Sequence, residues 1–133
     1  MDNLILIDTS VWIEYFRKKN PVFNQINELA ENQQLASLKL IMAELIQGAR
    51  SQSEVEVIND LAEVATILSE PPDAWRKAGT LSFDLRRDGK TVGLADCYIA
   101  VVAQAYGSPL YSFDKHFEII SESIDILLYK AKK

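Results

Sequence analysis

The chain has 133 residues, 48% of them hydrophobic and 25% charged, with a net charge of −5. That balance suits one globular domain, residues 1–133, and argues against a disordered chain. It also argues against broad electrostatic capture of nucleic acid, which leaves a basic footprint. A single cysteine and a single histidine exclude an internal disulfide, a multi-cysteine or His-rich zinc site and a Ser-His-Asp triad, so carboxylates must carry any acid, base or ligand role.

"LILID" predicts a first strand over about Asn3 to Asp8, buried on both faces because its aliphatic residues do not alternate with polar ones. "VWIEYF" continues as a short helix through Phe16. "RKKNP" interrupts it, and Pro21 suits the first turn of a second helix, "VFNQINELAENQ". A short strand near Gln34 to Ser37 leads into "LKLIMAELIQGAR", whose apolar residues are dense enough to predict a largely buried helix ending near Gly48. "SQSEVEVINDLAEVA" is an amphipathic helix and "TILSE" a short strand. After Pro71 and Pro72, "DAWRKAGTLSFDLRRDG" predicts a helix ending at Gly89, and "LADCYIAVVAQAYG" another ending at Gly107. Cys97 on the latter reads as a small buried hydrophobe. "SPLYSFD" is a strand, "KHFEIIS" a short helix and "IDILLY" a closing strand.

Alternating strands and helices predict an α/β fold with helices on both faces of a mainly parallel sheet. No apolar run is long enough to span a bilayer, and the N-terminus lacks a basic segment followed by a long apolar core, so the expected location is the cytoplasm.

Four carboxylates stand in unusual surroundings. Asp8 and Asp114 each end an apolar strand and begin a helix, positions that cap helices but also line the rim where open parallel sheets bind ligands. Asp96 lies on the face of its helix shared by Ile99, Ala100 and Ala103, where the helix dipole offers another explanation for it. Glu44 sits among Leu40, Ile41, Met42, Ala43, Leu45 and Ile46, with no continuous polar face, which leaves a buried ion pair with Arg50 or another arginine as the alternative. Two carboxylates about 5 Å apart at an effective dielectric near 20 repel by about 3 kcal/mol. If the four converge, the natural counterion is a hard divalent cation, Mg²⁺ or Mn²⁺, a tool for phosphate chemistry.

In these residues the chain resembles the PIN-domain proteins, and within them the VapC-type toxin ribonucleases of toxin–antitoxin pairs. The similarity covers essentially the whole chain: "LIDTSVWIEYF" with Asp8 and Ser10, "MAELIQGAR" with Glu44 and Gly48, and "GLADCYIAVVAQAYGSPLYSFDKHF" with Asp96, Ser112 and Asp114. Ser112 stands where many relatives have threonine, which keeps the hydroxyl. The resemblance implies an α/β/α sandwich and a Mg²⁺- or Mn²⁺-dependent endoribonuclease, usually a homodimer, silenced by a cognate antitoxin. It further implies Asp8, Asp96 and Asp114 as metal ligands, Glu44 as ligand or general base, and Ser10 and Ser112 as their orienting neighbours.

Basic residues cluster at Arg17, Lys18 and Lys19, and at Arg86, Arg87 and Lys90, with Lys115 beside Asp114. These are candidate RNA contacts, although solvated helix ends are the simpler explanation of each cluster. A structured target such as a tRNA fits a site that reads shape. Apolar residues of "VFNQINELAENQ" and its neighbours could form a groove for an amphipathic antitoxin helix, with the acidic pocket attracting an inserted arginine. Trp75, Phe83 and Tyr98 fit a dimer surface or the core.

The alternative of a different class is a catalytically silent module of the same fold, acting through a protein partner. A phosphorelay receiver would need an acidic pair after the first strand, where Asp8 stands alone. A haloacid-dehalogenase phosphatase would need an aspartate where Ser10 stands.

Overall fold

The aliphatic run near the start of the chain forms the middle of the sheet. The computed structural model describes residues 3–130, and in it β1 (Ile5–Ile7) is buried throughout, flanked by β2 (Leu35–Ser37) and β4 (Leu110–Tyr111), with β3 (Thr66–Ile67) outside β2. All three pairings are parallel, in the order β3-β2-β1-β4.

The helices follow from this order. α1 (Thr9–Phe16) and α2 (Val22–Glu31) connect β1 to β2, and α3 (Lys39–Gln47) and α4 (Gln52–Val64) connect β2 to β3. α5 (Ala74–Arg87) and α6 (Leu94–Tyr106) return the chain to β4 on the far side of β1, and α7 (His116–Ser121) follows. Parallel crossovers are right-handed, so two steps in one direction and one long step back put α1–α4 on one face and α5–α6 on the other. The packing agrees: α1 lies on α2 and α3, α3 on α4, and α5 and α7 on α6. The result is a three-layer sandwich whose chain direction reverses between β1 and β4, and the crevice beyond the C-terminal ends of those two strands is where such sheets hold ligands. Among the described residues no helix is long and apolar enough to cross a membrane.

Trp12, Phe117, Leu6, Ile7 and Ile26 are fully buried core side chains, as is Cys97. α6 carries an unbroken buried run from Cys97 to Ala103 and ends where Gly107 takes a left-handed φ of 61°, the conformation that closes helices with least strain in glycine.

Three expectations need correction. "IDILLY" forms no full strand: Leu128 makes an isolated bridge to Leu110, because β4 offers a partner only two residues long. α3 is not largely buried. Ile41, Met42 and Leu45 face the core, but Ala43 and Gln47 are exposed and Ile46 is 39% exposed, so the face of the helix opposite the core is open to solvent although Ala43 and Ile46 are apolar. α5 ends at Arg87 with Asp88 as its cap, just short of Gly89.

Candidate active site

The site begins where β1 meets α1. Asp8 caps α1, accepting a long bond from the Ser10 amide at 3.4 Å, so the capping explanation holds for it. The same carboxylate is only 5% exposed, and its Oδ2 also accepts the hydroxyls of Ser10 at 2.8 Å and Ser112 at 2.7 Å. Two strand ends are thereby tied through one oxygen. The Ser10 hydroxyl further accepts from the Phe113 amide at 3.0 Å, and the Ser112 hydroxyl from the Asp114 amide at 3.0 Å. The loop after β4 is therefore built around Asp8.

Glu44 reaches this rim from the middle of α3, where its Oε1 accepts the Thr9 hydroxyl at 2.9 Å. No ion pair with Arg50 forms; among the described residues the ion pairs all belong to His116. Burial pushes the Glu44 carboxyl above its ordinary range, the Thr9 hydroxyl opposes this, and the negative charges of Asp8 and Asp96 add to it. Asp96, in the first turn of α6, is raised for the same leading reason. His116 pulls it down, while Asp114 and Asp8 push it up. These mutual interactions join carboxylates from residues 8, 44, 96 and 114 into one field.

The residue that sequence reasoning missed is His116. Its Nδ1 lies 3.0 Å from Asp96 Oδ2 and 3.5 Å from Asp114 Oδ1, while its amide donates to Asp114 Oδ1 at 2.9 Å. The hydrogen bond to Asp96 leads the causes that raise the His116 pKa. Ligand atoms of Asp96, Asp114 and His116 all lie within 4.8 Å of one another, close enough to share a metal ion. One signal was available: His116 follows Asp114 by two residues, at the strand-to-helix turn that carries the acid. Counting histidines hid it, because one imidazole suffices where oxygens supply the other ligands.

Lysine and arginine take no part in neutralising this cluster by ion pairing among the described residues. The carboxylates of Asp96 and Asp114 with the His116 imidazole make an acidic group that could hold a metal ion. Such an ion would stabilise the charged forms that burial penalises.

The basic candidates separate. Arg86 and Arg87 end α5, and Lys90 lies in the loop leading to α6, on the Asp96 side of the site. Lys115 is exposed beside Asp114. Arg17, Lys18 and Lys19 are exposed at the opposite end of α1 from Asp8, about 12 Å away for eight helical residues. Arg17 and Lys18 instead line a groove of about 780 Å³ that runs from Thr9 and Glu44 past Ile13, Phe23, Leu45 and Val57. Of the three aromatic residues considered for a dimer surface, Tyr98 is buried with its hydroxyl on Glu70, whereas Trp75 and Phe83 are exposed.

Comparison with known proteins agrees with this architecture. Residues 5–122 match the family model described as PIN domain. The chain is 28% identical over 123 residues to the ribonuclease VapC11 of Mycobacterium tuberculosis, covering 89% of this chain and 92% of that protein. It is 29% identical to the ribonuclease VapC1 of Methanocaldococcus jannaschii, covering 91% and 84%. In structure it is similar to the DNA-bound VapBC of Salmonella typhimurium, with a TM-score of 0.77 at 21% identity over 95% of this chain and 96% of that one.

Proposed function

The chain belongs to the PIN domain family, and from that premise we propose that it is the ribonuclease toxin of a toxin–antitoxin pair, cleaving RNA phosphodiester bonds with the help of Mg²⁺ or Mn²⁺. The observation that carries this reading is the acidic group of Asp96, Asp114 and His116, whose ligand atoms all lie within 4.8 Å of one another, with Asp8 tied to Ser112 on the same loop and Glu44 to Thr9 beside Asp8. The relatives named as ribonucleases support the choice of substrate.

Asp96, Asp114 and His116, whose ligand atoms lie within 4.8 Å of one another, would hold the cation, and Asp8 would complete the set from the end of β1. When bound, the ion polarises a phosphoryl oxygen and makes a water more acidic. The hydroxyls of Ser10 and Ser112 occupy Asp8 Oδ2, which fixes the carboxylate and leaves Oδ1 for the cation. Thr9 does the same for Glu44 Oε1, leaving Oε2 to accept a proton from the attacking water. Burial raises the proton affinity of this carboxylate, which suits it to the role of general base. Attack on phosphorus breaks the bond to the ribose 3′-oxygen and leaves a 5′-phosphate. Arg86, Arg87, Lys90 and Lys115 contact flanking phosphates, and a structured RNA such as a tRNA is the fitting target.

The groove between α1–α2 and α3–α4 takes an apolar antitoxin segment. Because it opens at Thr9 and Glu44, a cationic side chain on that segment reaches the acid cluster and silences it. The active form is a homodimer working in the cytoplasm.

The test is RNA cleavage by purified, antitoxin-free protein with and without Mg²⁺ or Mn²⁺, with Asp96→Asn as control. Cleavage that needs the cation and disappears in the variant supports the reading. A folded wild-type protein that cleaves no RNA under any of these conditions points instead to a catalytically silent binding module.

A further inference from the structure

Two large apolar rings on this side of the molecule are left open to solvent: Phe113, in the loop after β4, and Phe83, on the helix packed against α6. Phe83, late in α5, is 47% exposed, and the guanidinium groups of Arg86 and Arg87, three and four residues on, stand 5.8 and 5.6 Å from its centroid. That spacing puts all three on one helix face. Neither arginine is ion-paired with a carboxylate among the described residues, so both keep donors for another anion.

The helix that carries the ring packs on α6, the helix that carries Asp96. Ser82, next to Phe83, donates its hydroxyl to the Val92 carbonyl at 2.9 Å and contacts the Cys97 thiol. This part of α5 is thus clamped to the first turn of α6, the turn that carries Asp96. Lys90 lies in the short connection between the two.

We propose that Phe83, flanked by Arg86 and Arg87, is a stacking platform for an unpaired RNA base close to the cleavage site. The proposal rests on the ribonuclease reading and names a substrate contact within it. An aromatic face beside cations is the arrangement that holds single strands: the base covers the ring while neighbouring phosphates meet the guanidiniums. Bases inside a duplex have both faces covered, so the platform selects loops or frayed ends. A second copy of the chain is a poorer occupant, because a twofold contact centred on Phe83 would lay Arg86 and Arg87 against their own counterparts.

The test measures binding by fluorescence anisotropy in the full chain carrying Asp96→Asn, using a short single-stranded RNA of mixed sequence and the same strand without bases. Phe83→Leu should weaken binding of the mixed-sequence strand about tenfold, the loss of one stacked base, and leave the abasic strand unaffected. Phe83→Trp should restore binding. Equal weakening for both strands, or none for either, overturns the proposal. So does a Phe83→Leu variant that changes only the sedimentation coefficient, which assigns the ring to a contact between copies. Cleavage by the otherwise unaltered chain keeps the two readings distinct. If wild type cleaves RNA and Phe83→Leu cleaves it equally well, the platform alone fails; if wild type cleaves nothing, the ribonuclease reading fails and the platform with it.

Discussion

The two sides of the acid cluster are built differently. On the β1 side, Asp8 is 5% exposed and fixed by two hydroxyls and an amide. On the α6–α7 side, Asp96 and Asp114 have side chains 23% and 36% exposed, and they share His116, itself 45% exposed. One side is a rigid anchor with its hydrogen bonds already made. The other is open, and it holds its charges by an imidazole that a cation can replace or recruit. On the proposed reading, the closed side would set the position of the ion and the open side would admit water and substrate.

The strongest way to break the comparison is to remove an acid from each side. Asp8→Asn and Asp96→Asn should each lower metal-dependent RNA cleavage at least about a hundredfold, with melting temperatures near wild type, because the amide keeps the shape of the carboxylate. Cleavage rates and thermal melts of the two variants check this.

A smaller effect is expected from loosening the anchor. Ser112→Ala removes a hydroxyl from Asp8 and the acceptor of the Asp114 amide, and activity should fall about tenfold, the usual scale for a partner that orients a ligand. Ser112→Thr keeps the hydroxyl and should retain most activity. If Ser112→Ala is as active as wild type, Asp8 does not depend on that bond.

The open side offers a subtler change. Imidazole favours Mn²⁺ over Mg²⁺ relative to an all-oxygen site, so His116→Asn should shift the ratio of cleavage rates with the two ions a few-fold towards Mg²⁺. An unchanged ratio would show that His116 only accompanies Asp96.

The smallest effect is on stability against pH. In the cation-free protein Glu44, Asp96 and His116 are all raised above their ordinary values of 4.5, 3.8 and 6.5. Folding therefore favours their protonated forms, and the stability they contribute is present at low pH and lost as pH rises through the raised values. For His116 that loss begins above 6.5. The cation-free melting temperature should fall slightly between pH 6 and 8, and Mn²⁺ should raise it more at pH 8 than at pH 5, since protons compete for the same ligands. Melts with and without the ion across this range decide the sign.

Much of this was legible in the sequence, for identifiable reasons. Asp8 and Asp114 stood out because each ends an apolar strand, and Glu44 and Asp96 because each interrupts a helix otherwise rich in apolar residues. The α/β class followed from the alternation of strand and helix signals. What the sequence concealed depends on the third dimension. The segment 124–129 reads as a strand but has only the two-residue β4 to pair with. α3 looks buried because Ala43 and Ile46 are apolar, yet both lie on its solvent face. His116 was set aside by elimination, and Phe83 was indistinguishable from core until its exposure and its two arginines were seen together.

The central claim is that carboxylates from four segments make one cation site. Calorimetric titration of the metal-free protein with Mn²⁺ tests it directly. The account predicts saturable binding in wild type that is lost or weakened at least about tenfold in Asp8→Asn and in Asp96→Asn alike. Binding of unchanged affinity in both folded variants would contradict it.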